Sequence, residues 1–132
     1  MASIRHERRI AASAERVWSL IRRPESIVDW FPGIVDVSVE GSSRTITTAM
    51  GMVIHERILV CDDAARRFAY SIVDEGYRLH VGTIDVIELG VDESLCVYST
   101  TAEPDTLALI ISGGTVGALE RIEELSTGER GD

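Results

Sequence analysis

The hydrophobic period changes at Pro104, and no other feature restricts the fold of this 132-residue chain as much. Before it, apolar residues recur at every second position in short runs, the spacing of half-buried strands. After it, Leu107, Ile111, Gly114, Ala118, Ile122 and Leu125 recur at helical steps, while Glu120, Arg121, Glu123 and Glu124 lie largely off that stripe. One long amphipathic helix is expected from about Asp105 to Ser126, capped by Asp105 or Thr106 and stopped by Gly128. Taking about 1.5 Å per residue over about 22 residues, it is a rod of ~33 Å. Gly113, Gly114 and Gly117 inside it each cost on the order of 1 kcal/mol relative to alanine, so their presence needs a reason. A break at Gly113-Gly114, close packing against a neighbour, or space above a cavity would each supply one.

Upstream of Pro104 the order of elements is plain. "ASIRHERRI" reads as a first strand, Ser13 caps "AERVWSLIRR" with Val17, Trp18 and Ile21 on one face, and Pro24 suits the first turn of a second short helix that ends at "DWFPG". "IVDVSVEG", "RTITTAM", "MVIHERILVC", "RRFAYSIV", "RLHVGTIDVIEL" and "SLCVYSTTAE" then read as six strands joined by short loops. These signals predict an α+β fold: a seven-stranded antiparallel sheet with two short helices between its first and second strands. No repeat or linker divides it, so residues 1–132 are read as one domain. A sheet of this length can curl around the terminal helix without closing tightly, and its inner face can then line a pocket.

Such a pocket would explain an oddity in "IHERILVCDD". Ile54, Ile58 and Val60 share one face at period two, and Glu56 falls on that face with them. Moving the register by one residue would bring Arg57 inward and turn the three aliphatic side chains out. A carboxylate facing a hollow is the better reading, with His55, Arg57, Leu59 and Cys61 outside. Desolvation there should raise the Glu56 pKa, unless a buried arginine or hydrogen-bond donors offset it. Tyr70 and Tyr98 share the inner parity with Phe68, Ile72, Cys96 and Thr100; His80 is also on the inner parity.

Composition removes several function classes. The net charge is -9, lysine is absent, and all the basic residues are arginine, a balance that disfavours nucleic acid and anionic membrane surfaces as partners. No run of apolar residues is long enough to span a bilayer, and the N-terminus has no leader-like apolar region, so a cytoplasmic protein is expected. Cys61 and Cys96 are isolated and read as reduced thiols. Neither a metal-ligand spacing nor a nucleotide-cradling or nucleophile motif is present, so no metal and no cofactor is expected.

"IAASAERVWSLI", the "W" and "P" of "DWFPG", "ERILVCDD", "RRFAYSI" and the proline before the terminal helix occur in the order found in a known group. The chain resembles the START/Bet v 1-like (SRPBCC) helix-grip superfamily, the polyketide cyclase/dehydrase and lipid transport type. Within it, "HERILVCDDAARRFAYSI" is most similar to MxaD-like bacterial proteins and plant abscisic-acid receptors. The resemblance implies that Glu56, Tyr70 and Ile72 line a ligand pocket, that Trp30 closes one end of it, and that the "YRL" segment places Tyr77, Arg78 and Leu79 at its mouth. Two departures set abscisic acid aside. Only "AMGM" stands where the receptors carry a gate loop, and their anchoring lysine has no counterpart.

The expected ligand-binding set is therefore Trp30, Ile54, Glu56, Ile58, Tyr70, Ile72, Tyr77, Leu79, Tyr98, Thr100, Ile111, Gly114 and Ala118. The expected activity is binding of a small hydrophobic or amphipathic molecule, lipid or polyketide-like. Two alternatives stay open. One is a cyclase, aromatase or dehydratase with Glu56, Tyr70 and Tyr98 as candidate acid-base groups; the other is a ligand-gated interaction module with an unknown protein partner.

Overall fold

A computed structural model describes residues 1–128, the side chain of Ser112 excepted. Strand β1 (Ala2–Ile10) leads into helix α1 (Ala14–Ile21), where the Ser13 hydroxyl accepts from the Arg16 N–H as an N-cap should. Pro24 opens a single 3-10 turn (Pro24–Ser26), which runs directly into the short helix α2 (Ile27–Trp30). Strands β2 (Ile34–Glu40), β3 (Ser43–Thr48), β4 (Val53–Asp62), β5 (Arg67–Ile72), β6 (Leu79–Gly90) and β7 (Glu93–Glu103) follow, and helix α3 (Asp105–Thr127) closes the chain. All seven strands form one antiparallel sheet in the order β1-β7-β6-β5-β4-β3-β2. The sheet curls around α3, and the core lies between them, with Val17, Trp18 and Ile21 of α1 packed into it.

Three local expectations are corrected by the structure. At the start of α3 the N-cap is Pro104, with no capping side chain. Asp105 instead pairs with the N-terminal ammonium at 2.8 Å. In β4 the register shifts between Ile58 and Val60, so that one extra residue opposes β5. Val60 is thereby turned outward, while Cys61 comes to lie opposite Phe68, its Sγ 3.5 Å from the Arg22 carbonyl. At its far end α3 reaches Gly128 in an ordinary right-handed conformation, without the left-handed turn that glycine stops favour.

Helix α3 runs without a break through Gly113 and Gly114, and close packing accounts for the second of these. A Cβ at Gly114 would stand 2.8 Å from two ring atoms of Phe31, and one at Gly117 would stand 2.8 Å from Pro32 Cγ. Gly113 faces open space. The two neighbours should therefore answer differently to alanine. Gly113→Ala should stabilise the protein by about 0.5–1 kcal/mol through helix propensity. Gly114→Ala should lose that gain and about 1 kcal/mol more, because Phe31 must move out of a packed position. Urea unfolding of both variants checks this, and equal stabilisation would refute the packing role of Gly114.

Candidate functional site

The curl leaves a hollow where the β3–β5 half of the sheet faces α2 and the first half of α3. Its volume is about 160 Å3. Ile27, Phe31 and Pro32 wall it from α2 and the turn that follows, and Ile34 from the start of β2; Ile46 and Thr48 come from β3, Ile54 and Glu56 from β4, Tyr70 and Ile72 from β5. Ile110, Ile111 and Gly114 of α3 cover it. Strand alternation accounts for the sheet contribution, since 46/48, 54/56 and 70/72 are same-face pairs two residues apart. Ile110 is 72 % exposed and stands at the rim.

Glu56 is buried within this apolar wall and is held by an arginine from the next strand. Arg44 pairs directly with Glu56 across β3 and β4, and its Nε and Nη2 both lie 2.7 Å from Glu56 Oε1. Nη1 donates to the Pro24 carbonyl at 3.0 Å, which ties the sheet to the helical turn. The guanidinium also lies 5.3 Å from the Phe68 ring centre and 5.0 Å from that of Tyr70, within cation–π range. Burial pushes the Glu56 pKa up and Arg44 pulls it back, leaving a net upward shift. Protonating Glu56 would leave the arginine cation buried without a counter-charge, which favours the ionised pair.

A second polar layer lies deeper. The hydroxyls of Tyr70 and Tyr98 are 2.5 Å apart, and burial drives both phenols far above their ordinary pKa. Gly82, opposite Tyr70 on β6, makes room for this arrangement: a Cβ there would lie 2.5 Å from the ring's Cζ. His80 packs against Tyr70 and Tyr77, with ring centres 5.6 and 5.3 Å away. Its Nδ1 accepts from the Ile72 N–H at 3.0 Å, so the proton of the neutral ring is on Nε2, which has no hydrogen-bond partner among the described residues. Burial lowers the His80 pKa to about 4. Gly82→Ala should cost about 1–3 kcal/mol by forcing the Tyr70 ring aside. A neutral result in chemical denaturation would show that the ring has room to move.

The structure brings six of the expected residues together around the hollow: Ile54, Glu56, Tyr70, Ile72, Ile111 and Gly114. The others are placed elsewhere. Trp30 is buried beside the wall, donating to the Ser26 hydroxyl at 2.9 Å and meeting Phe31 and Tyr98 at ring distances of 6.2 Å. Tyr98, Thr100 and Ala118 are fully buried behind it, and Ile58 packs against the core. Tyr77 packs on His80 rather than on the hollow, because its backbone stays outside the end of β6. Leu79 is exposed on the outer parity, opposite Glu103.

Sequence reasoning missed Arg44, Phe31, Pro32 and the β3 wall. A signal for Arg44 was available: "RTITT" puts Arg44, Ile46 and Thr48 on one face, and a short hairpin from β3 to β4 can set that face against Glu56. Among the described residues no three His, Cys, Asp or Glu side chains converge in a way that could hold a metal ion. Nor is any described helix long and apolar enough to cross a membrane.

A seven-stranded antiparallel sheet curled around a long C-terminal helix, with two short helices after its first strand, is the helix-grip fold of START/Bet v 1-like proteins. Residues 1–122 match the model of the polyketide cyclase/dehydrase and lipid transport family, and the chain belongs to that family. Among solved structures it is similar to the protein XoxI from Bacillus cereus, with 27 % identity, a TM-score of 0.87 and 95 % of each chain covered. An uncharacterised protein from Bacillus thuringiensis is 28 % identical, with a TM-score of 0.86 over 95 % of this chain and 98 % of that one. A norcoclaurine synthase from Thalictrum flavum, solved with a transition-state analogue, shares the fold at 20 % identity and a TM-score of 0.78, covering 98 % and 96 % of the two chains. No curated protein matches the chain.

Proposed function

We propose that this protein binds a small apolar or amphipathic molecule in the hollow between β3–β5, α2 and α3, as one ligand-binding domain acting in the cytoplasm. One observation carries this reading: a cavity of about 160 Å3 walled by isoleucines contains a buried carboxylate paired to Arg44. A protein that needed only a stable core would gain by filling that space, since voids of this size cost stability. Family membership supports the same reading. In it Ile54, Ile72, Ile111 and Gly114 contact the ligand, and Glu56, Tyr70 and Thr48 orient it. Trp30, Ile58, Tyr98, Thr100 and Ala118 shape the wall from behind, while Tyr77 and Leu79 stand away from the ligand.

Acid-base catalysis is the second reading, and the position of Glu56 on the cavity wall with a raised proton affinity favours it. The buried phenols of Tyr70 and Tyr98 are poor proton donors at neutral pH and weigh against it. Native mass spectrometry of protein purified from its own cells tests the binding reading. A retained small molecule should be seen with the wild type and lost from Ile46→Trp, which fills the hollow. A wild-type protein that is always empty, and that no apolar probe stabilises, would sink the proposal.

A further inference from the structure

We infer, building on the cavity reading above, that the ligand is about one ring in size and presents a hydroxyl or amine to Glu56, and that carboxylates are rejected. The size follows from the volume. A dry apolar cavity of roughly 150 Å3 takes a benzene-sized molecule, and the hollow here is about 160 Å3. A long acyl chain or a fused polycycle cannot be enclosed in it.

The polarity follows from what remains unpaired. Glu56 is the one charged side chain among the residues lining the hollow. Both arginine contacts fall on Oε1, which leaves Oε2 free of the guanidinium. Arg44 is not among the residues lining the hollow: its Nε donates to Glu56 and its Nη1 to Pro24, while Nη2, buried and without a hydrogen bond of its own, lies 2.7 Å from Glu56 Oε1, so the nearby cation is already neutralised by Glu56. Lysine is absent from the sequence altogether. An ionised carboxylate is an acceptor only, and so it selects donors. A ligand carboxylate would bring a second negative charge to the Glu56 wall with nothing to neutralise it, a juxtaposition that works as a filter. Thr48 and Tyr70 can donate or accept and do not discriminate.

Five probes test this by calorimetric or NMR titration at pH 7: ethylbenzene, 2-phenylethanol, 2-phenylethylamine, phenylacetate and 1-pyrenemethanol. Ethylbenzene should bind and set the apolar baseline. The alcohol and the amine should each bind at least tenfold more tightly than phenylacetate, and pyrenemethanol should give no saturable signal. Phenylacetate binding as tightly as the alcohol would overturn the selectivity, and saturable pyrenemethanol binding would overturn the size limit. Failure of ethylbenzene, together with the others, would overturn the cavity reading itself. Glu56→Gln should remove the discrimination against phenylacetate. The wild-type series decides the matter if that variant does not fold.

Discussion

Replacing Glu56 with leucine alone should destabilise the protein by about 3–5 kcal/mol, because it leaves the arginine cation buried without a partner. Both side chains are almost completely buried, at 1 % exposure for Arg44 and 3 % for Glu56, so water cannot replace the lost charge. Arg44→Met should cost a similar amount for the converse reason. The double variant Arg44→Met/Glu56→Leu should recover most of the loss, since two apolar side chains of similar size need no partners. Urea unfolding of the three variants completes the cycle. Single variants within about 1 kcal/mol of wild type would mean that water reaches the pair and that its burial is not maintained in solution. The recovery matters for function. Recovery in the double variant would show that the fold does not need the pair for stability, as expected if Glu56 serves the proposed cavity site.

Acid should destabilise the protein through His80, in a window set by its depressed pKa. The folded protein keeps the ring neutral down to about pH 4, whereas the unfolded chain takes up a proton near the ordinary histidine value of 6.5. The unfolded state therefore binds more protons between these values, and stability falls as pH drops through them. The contribution is fully present above pH 6.5, and its loss by pH 4 is about 2–3 kcal/mol at roughly 1.4 kcal/mol per unit, reduced for partial solvent access. Glu56 works in the opposite sense. Its raised pKa makes the folded state the better proton binder just above the ordinary carboxylate range, which softens the loss at the lower end of the window. His80→Gln removes the titration and should flatten the stability profile between pH 7 and 4.5. A profile unchanged by that substitution would assign the acid sensitivity to another group.

The fold was legible from the sequence because its signals are local. Period-two runs, short turns, the Ser13 cap and the switch at Pro104 each report on a few neighbouring residues, and together they leave one arrangement of seven strands and a terminal helix. The inward position of Glu56 was legible for the same reason, since alternation along β4 fixes its side once Ile54 and Ile58 are buried. What stayed hidden depends on relations between elements. Arg44 becomes a partner for Glu56 only through the register of β3 on β4, and Phe31 becomes a wall only because Gly114 and Gly117 let α3 approach the turn that carries it. The bulge at Ile58–Val60 has no sequence marker such as glycine, so the inward expectation for Val60 fails there, while Cys61 is exposed as its outward reading implies. Tyr77 and Leu79 were expected at the mouth by resemblance alone, and the path of the chain into β6 holds them away from the hollow.

Isoleucine methyl groups provide the most direct test that the hollow takes a ligand, because seven of them line it: Ile27, Ile34, Ile46, Ile54, Ile72, Ile110 and Ile111. Ile4, Ile84, Ile87 and Ile122 lie outside that lining and serve as internal controls. Titrating methyl-labelled protein with ethylbenzene should produce saturable shifts in the first group and leave the controls in place. Shifts that fail to saturate, or that centre on the controls, would contradict the claim that this cavity is the binding site.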